Sequence, residues 1–430
     1  MNLPLERGAD GFIRDDHENS EFLVQRKAFT SDEVLAAERE KIFSTCWLYA
    51  AHASEIPNPN DFVSRKIGGR EVVIARDNEG NIGAFFNTCT HRGAMICREP
   101  DGNAKAFVCP YHGWTYNTAG KMIGQPADSG FPDGFFDDGK KDLTTVAHCD
   151  VYRDFIFVNF DTGAGGLVEY LADAAGMIDL VADQSAIGME VTEGRQEYSM
   201  EANWKLLLEN SADGYHAVTA HASYFDYLQA TNGTFRTDFN PTDVGGRCYS
   251  LGNGHAVIEY GAPWGRPVAQ WVPQWGDEGK VAVEGLMEDL VERHGEERAK
   301  RIAQKNRNIL IFPNLVINDI MALTIRTFQP ITTDYLEVSA VSLAPKEEHP
   351  DVRKYRQYNF LEFLGPAGFA TPDDVEMLQI CQMGYQNLPE VVWNDISKGM
   401  NRPENTGDDE LQMRSFWRRW NQLMATDVDS

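Results

Sequence analysis

Between about residues 46 and 162 the chain is a series of short runs in which apolar residues dominate or alternate. Each run is bounded by glycine, proline or aspartate. Residues 71–75 (Glu-Val-Val-Ile-Ala), 83–86 (Gly-Ala-Phe-Phe) and 154–159 (Asp-Phe-Ile-Phe-Val-Asn) read as strands, and residues 124–142, rich in Gly, Pro and Asp, as an acidic surface loop. Residues 1–29 are polar and are expected to drape over a larger body. Thr30 stands three residues before Glu33, a capping-box signature for a helix that buries Val34, Leu35, Ile42 and Phe43 and ends near Trp47. After Asp161 the periodicity is mixed: residues 166–184 and 203–216 predict helices, 188–200, 321–328 and 336–343 strands, and 372–386 and 408–425 long helices. The pattern predicts a small all-β domain at 46–162 inserted near the start of a larger α+β domain made of 1–45 and 163–430.

A length of 430 residues fits two or three domains, and 42% apolar with 24% charged residues is the profile of an ordinary globular protein. Charge narrows the choice of partner. The 39 basic and 65 acidic residues leave a net charge of −26, which argues against nucleic acid and against an anionic membrane face. No apolar run approaches the roughly 20 residues of a membrane-spanning helix. The start, Met1-Asn2-Leu3-Pro4-Leu5-Glu6-Arg7, lacks the basic and apolar regions of a signal peptide, so a cytoplasmic location is expected. The seven cysteines (Cys46, Cys89, Cys97, Cys109, Cys149, Cys248, Cys381) are an odd, sparse set with no disulfide framework.

Two of those cysteines are followed by a histidine within three residues. Cys89-Thr90-His91-Arg92-Gly93 and Cys109-Pro110-Tyr111-His112-Gly113-Trp114 give Cys-x-His, 17 intervening residues, then Cys-x-x-His. Both pairs lie in strand-and-turn sequence with glycine close to the histidine, so two loops can offer two thiolates and two imidazoles at the tip of a β-domain. Two Cys on one iron and two His on the other is the ligation of a Rieske [2Fe–2S] cluster. A Cys₂His₂ zinc site is the alternative, but finger-type zinc sites pair like ligands, whereas each loop here mixes one of each. The motif resembles that of Rieske proteins. Members of electron-transport complexes carry two further cysteines that clamp the loops; Ala94 and Tyr111 stand at those places, which resembles the lower-potential domains of bacterial ring-hydroxylating oxygenases and their ferredoxins.

A second group begins at Asn203-Trp204-Lys205 and runs through Glu209, Asn210, Asp213 and His216 to His221. Glu209, Asp213 and His216 would share one helical face. His216 and His221, about 140° apart on an ideal helix, cannot both bind one ion unless the helix unwinds after His216 or His221 lies in the following turn. Two His and one carboxylate on one face of an iron is the arrangement of O₂-activating non-haem Fe(II) oxygenases. Ordinary solvated or hydrogen-bonded histidines are the alternative. The segment is similar to the mononuclear iron motif of the large (α) subunit of Rieske ring-hydroxylating oxygenases. That resemblance implies a third ligand, an aspartate at a helix start far downstream. Thr371-Pro372-Asp373-Asp374 fits, with Thr371 as N-cap, Pro372 at the first helical position, Asp374 as ligand and Asp373 as fallback.

The fold implied is a Rieske [2Fe–2S] domain inserted into an α+β helix-grip catalytic domain on an antiparallel sheet. The implied cofactors are the cluster and Fe(II). The implied activity is cis-dihydroxylation of an aromatic ring with O₂ and electrons from a separate reductase or ferredoxin, because the chain has no Gly-x-Gly-x-x-Gly fingerprint for a nicotinamide or flavin. The alternatives are a Rieske monooxygenase or demethylase and a large electron-transfer protein. Residues 364–374 resemble members acting on aromatic acids such as benzoate, anthranilate and cumate. Arg326, inside the apolar run 323–328, is the candidate partner for a substrate carboxylate, with Arg247 the weaker one. The competing reading has Arg326 facing outward or paired with a protein acid. The resemblance also implies a head-to-tail homotrimer, with or without a small β subunit (α₃β₃). In it Asp213 would bridge His216 to His112 of the next chain, and Asn210 and Asp213 would support the iron.

Overall fold

In the computed structural model, which describes residues 11–126, 129–232, 246–261, 268–269, 271 and 273–425, two compact units form: Met1–Ile42 with Leu171–Ser430, and Phe43–Tyr170. The reading of Met1–Arg7 lies outside the described residues.

The Phe43–Tyr170 unit holds three small antiparallel sheets. Asp61–Ile67, Arg70–Arg76, Ile82–Phe86 and Asp101–Asn103 form one; Ala106–Val108, Thr115–Asn117 and Met122–Gly124 form the second. Leu48–His52, His148–Tyr152 and Phe155–Asn159 form the third. One core cluster runs from Phe62, Val73 and Phe85 through Trp114 and Tyr116 and takes in both motif cysteines, so the two loops are anchored in packed hydrophobic material. The acidic loop expected at 124–142 is more than surface. Phe131 and Phe136 pack their edges on Trp114, and Phe135 stacks on Phe131. Three phenylalanines among glycines and aspartates mark a loop that half-buries its aromatic rings against the core.

The larger unit is organised by a seven-stranded antiparallel sheet: β1 (Met189–Met200), β2 (Arg247–Ser250), β3 (Ala256–Gly261), β4 (Lys305–Ile311), β5 (Leu315–Asp319), β6 (Leu323–Thr332) and β7 (Tyr335–Pro345). Its order is β1-β7-β6-β5-β4-β3-β2. Four helices matter for the site: α1 (Asp32–Lys41), α2 (Trp204–Ser211), α3 (Ala370–Gly384) and α4 (Leu411–Ala425). A buried ion pair joins three of them. Glu38 of α1 and Lys205 of α2 are both 0% exposed; Glu38 Oε1 accepts from Lys205 Nζ and from Trp420 Nε1 of α4, each at 2.7 Å. Glu38 Oε2 accepts from Trp204 Nε1 at 2.8 Å. Each charge is therefore met by hydrogen bonds, the condition under which a buried pair is tolerable.

Several expected boundaries move. The cap of α1 is Ser31, whose hydroxyl accepts from Val34 N, and not Thr30; the helix stops at Lys41, short of Trp47. Residues 11–25 do not merely drape. Ile13–Asp16 and Glu21–Gln25 pair as strands, the latter also with Trp393–Asp395, and Phe22 and Val24 alternate into the core. The helix expected at 166–184 is broken at Ala172, which has φ of 47°.

Candidate metal centres

The two Cys/His loops are built alike. In each, the cysteine N–H donates to a carbonyl five residues on, Cys89 to Ala94 and Cys109 to Trp114, both at 2.8 Å. The glycine four residues after the cysteine donates back to the cysteine carbonyl, Gly93 and Gly113 both at 2.9 Å. These glycines have φ of 76° and 72°, a region costly for any residue with a Cβ, and a Cβ at Gly113 would stand 2.8 Å from Pro126 Cγ. The motif's glycines thus close identical turns, while the histidine is second after the cysteine in one and third in the other.

Cys89 and Cys109 are buried. The His91 ring lies flat on Trp114, with planes 10° apart and centroids at 4.6 Å, and its centroid is 4.6 Å from that of His112. The Nδ1 atoms of both histidines are buried without a hydrogen-bond partner. Desolvation, then the nearby His112 and Arg92, hold His91 below the usual imidazole pKa, so its ring keeps a lone pair at neutral pH. Two buried thiols and two orphaned ring nitrogens form a donor set that fits a metal group. Among the described residues only His216, His221 and Asp374 bring three such donor atoms within 4.8 Å of one another. Tyr116, fully buried, places its hydroxyl 3.3 Å from Cys89 Sγ and 3.0 Å from Thr90 Oγ1. Burial first, and the Cys89 sulfur second, push its pKa up to about 12, so the hydroxyl remains a donor.

In the larger unit, α2 ends at Ser211, and Ala212 (φ −117°, ψ 20°) leaves the helix. The shared helical face expected for Glu209, Asp213 and His216 does not form. Glu209 stays on α2, where it accepts from Trp417 Nε1 at 2.7 Å. A Cβ at Gly214 would overlap the carbonyl of Gly407, so the chain there is shaped by a distant segment. His216 and His221 flank the single turn Ala217–Ala220, and this break brings their rings together.

Their Nε2 atoms lie 3.2 Å apart, and Asp374 Oδ1 is 3.4 Å from each. The other ring nitrogens face carboxylates: His216 Nδ1 is 2.9 Å from Asp213 Oδ2, and His221 Nδ1 is 3.4 Å from Asp373 Oδ2. A carboxylate only accepts, so each ring carries its proton on Nδ1 and turns a lone pair inward. Asn210 Nδ2 donates to Asp374 Oδ1 at 2.9 Å and lies 3.3 Å from His216 Nε2. Three acceptors facing one point are stabilised by a cation. Burial opposes a second proton on His216, but hydrogen bonds to Asp213 and Asp374 more than offset this and push its pKa up to about 10, the mark of a site that favours positive charge. For Asp374, burial raises the pKa and the His216 hydrogen bond and charge lower it; the lowering wins, and the group is a carboxylate.

Asp374 reaches the cluster because α3 starts at Ala370. Thr371 is therefore inside the helix and no cap; its hydroxyl donates to Leu364 O at 2.9 Å. Asp373 turns toward the His221 Nδ1 side and is also 3.4 Å from Ser223 Oγ.

A cavity beside these residues is lined by His216, His221 and Asp374, by Phe225 and Phe363, and by Arg326. Arg326 is 3% exposed and neither points outward nor meets an acid among the described residues: Nη2 donates to Ser211 Oγ at 3.2 Å, and Nε has no partner. Arg247, the weaker candidate, is engaged by Glu404 at 2.9 Å. Sequence reasoning missed Ser211, Asn308 and Asn318, which also line this cavity. The signal was available for the asparagines, each a carboxamide next to aliphatic residues in a largely buried strand (Asn308-Ile309-Leu310-Ile311 and Val316-Ile317-Asn318).

Residues 46–135 match the Rieske [2Fe-2S] domain family, and residues 189–426 match the ring hydroxylating alpha subunit (catalytic domain) family. The chain is 34% identical over 399 residues to the 2-halobenzoate 1,2-dioxygenase large subunit of Burkholderia cepacia, covering 90% of this chain and 82% of that one. It is 34% identical over 415 residues to the toluate 1,2-dioxygenase subunit alpha of Pseudomonas putida, covering 93% and 86%. Its structure resembles indole-bound naphthalene 1,2-dioxygenase from Rhodococcus sp. with a TM-score of 0.80 at 28% identity, over 94% of this chain and 95% of that one.

Proposed function

Because the chain belongs to the ring-hydroxylating dioxygenase α subunits, oxidoreductases with a Rieske [2Fe–2S] cluster and a mononuclear iron, we propose that it cis-dihydroxylates an aromatic carboxylic acid. The reaction adds both atoms of O₂ to adjacent ring carbons; two electrons from a separate reductase and two protons complete the cis-dihydrodiol. When bound, the two metal groups supply one-electron transfer and the activation of triplet O₂, which a closed-shell ring does not react with unaided.

In this reading Cys89 and Cys109 hold one iron of the cluster, and His91 and His112 hold the other through their buried Nδ1 atoms. His216, His221 and Asp374 hold the mononuclear iron. Asp213 fixes the His216 tautomer, Asp373 that of His221, and Asn210 steadies Asp374 by donating to Oδ1. Phe225 and Phe363 give the ring an apolar wall.

The observation that carries the substrate class is Arg326. A buried guanidinium without an acid partner is costly, and its position in the cavity beside His216 and Asp374 makes a substrate carboxylate the natural counter-charge. The test compares Arg326→Leu with wild type on benzoate-like acids and neutral analogues. Loss of a charged hydrogen bond predicts a KM increase of roughly 10- to 100-fold for the acids and little change for the neutral rings. Equal loss on both would make Arg326 structural.

The working form in this proposal is a homotrimer, with or without a small β subunit, in the cytoplasm, where seven unbridged thiols persist. The cluster of one chain serves the iron of the next, with Asp213 joining His216 to the neighbouring chain's cluster histidine. Mixed assemblies of His112→Ala and His216→Ala chains, each inactive alone, should regain activity; confirmed mixed trimers without turnover would refute the inter-chain route.

A further inference from the structure

The sheet face that carries Arg326 holds a polar row that carboxylate binding does not use, and two of its residues line the cavity. Strand register sets Asn308 of β4 beside Asn318 of β5, Asn318 beside Thr324 of β6, and Thr324 beside Ser342 of β7. Side chains alternate along a strand, so Arg326, two residues after Thr324, shares that face. A sheet face buried this deeply is ordinarily filled by aliphatic side chains, as Val316 and Leu310 fill the next row.

Asn318 is 2% exposed, and its Oδ1 is buried with no hydrogen-bond partner. Its Nδ2 reaches only Asn308 Oδ1, at a long 3.4 Å. Both asparagines line the cavity that holds Arg326, His216 and Asp374. A buried carboxamide oxygen without a donor is unfavourable, and Asn318 is one of the residues that line the ligand space. A substrate carboxylate cannot satisfy it, since both groups accept. A bare ring edge or a halogen meets it more weakly than an N–H or O–H donor does. What fits is an N–H or O–H donor on the same ring.

We propose that Asn318, paired with Asn308, recognises an amino or hydroxyl substituent, so that the preferred substrate is an amino- or hydroxy-substituted aromatic acid rather than an unsubstituted or halogenated one. This rests on Arg326 holding the carboxylate. Asn318 then acts as a specificity-determining residue, because a site built to meet a donor discriminates against analogues lacking it more strongly than an apolar wall does.

The test is calorimetric binding to the anaerobic holoenzyme. The ligands are benzoate, the amino-, hydroxy-, methoxy- and chlorobenzoate isomers, and neutral toluene, aniline and phenol. The best amino- or hydroxybenzoate should bind at least about tenfold tighter than benzoate and than its methoxy counterpart, the effect of one buried hydrogen bond. In Asn318→Val, with both metal signatures retained as the sign of folding, that ratio should fall to about one. Equal wild-type affinity for benzoate and every donor-bearing isomer would overturn the proposal, as would a preference that survives in Asn318→Val. If that variant fails to fold, the wild-type ratios decide alone. Should acids bind no better than neutral rings, the Arg326 reading fails separately. A remaining gain of aniline or phenol over toluene would then still support Asn318, and its absence would refute it.

Discussion

His216 and His221 turn their Nε2 atoms toward each other at 3.2 Å while each points its Nδ1 at a carboxylate. Two inward lone pairs and the Asp374 oxygen make a cation site whose ligands belong to one unit, whereas the Cys/His loops belong to the other. The metals should therefore be separable. His216→Ala or His221→Ala is expected to lower iron from about three to about two per chain and to leave the Rieske visible spectrum intact. Metal analysis with absorption spectra checks this; joint loss of both signals would contradict it.

The neighbouring aspartates should behave differently. Asp374→Ala removes an inward oxygen and should abolish turnover with loss of the mononuclear iron. Asp373→Ala removes only the carboxylate facing His221 Nδ1 and should weaken iron binding by roughly 10- to 100-fold. Iron titration of both variants decides between them, and the reverse ranking would move the ligand role to Asp373.

Tyr116 aims its hydroxyl at Cys89 Sγ from 3.3 Å. A donor to a ligand sulfur favours the reduced, more negative cluster. A hydrogen bond of about 1 kcal/mol corresponds to roughly 40 mV for one electron, so Tyr116→Phe should lower the potential by that order. Redox titration of the Rieske signal measures it, and an unchanged or raised potential would oppose this role.

Glu38 tests the scaffold behind α2. Removing it strands Lys205 and two indole N–H groups in a fully buried site. Glu38→Ala should cost about 3–5 kcal/mol of stability in denaturant unfolding. A loss below about 1 kcal/mol would mean that water or rearrangement replaces the carboxylate.

What was legible in the sequence was whatever short-range spacing determines. Cys89, His91 and Gly93, with Cys109, His112 and Gly113, announce two tight turns because a left-handed residue and its partners lie within five positions. Strands β1, β6 and β7 were visible at 188–200, 321–328 and 336–343, whereas β2 to β5 were not picked out. Tertiary contacts hid the rest. Past the end of α2, Gly214 lies against the carbonyl of the distant Gly407, and α3 starts early because Phe369 and Ala370 donate to carbonyls of Glu362 and Phe363. The polar cavity lining joins Asn308, Asn318 and Arg326 from three strands, and no local pattern announces that register.

The central claim is that this chain adds both atoms of O₂ to one face of an aromatic acid. The direct measurement is a single turnover of reduced holoenzyme under ¹⁸O₂ with an aromatic acid, followed by mass analysis of the product. The expected product is a cis-dihydrodiol carrying two ¹⁸O atoms. A product with one ¹⁸O atom, or O₂ consumption with no labelled ring product across the acids, would contradict it.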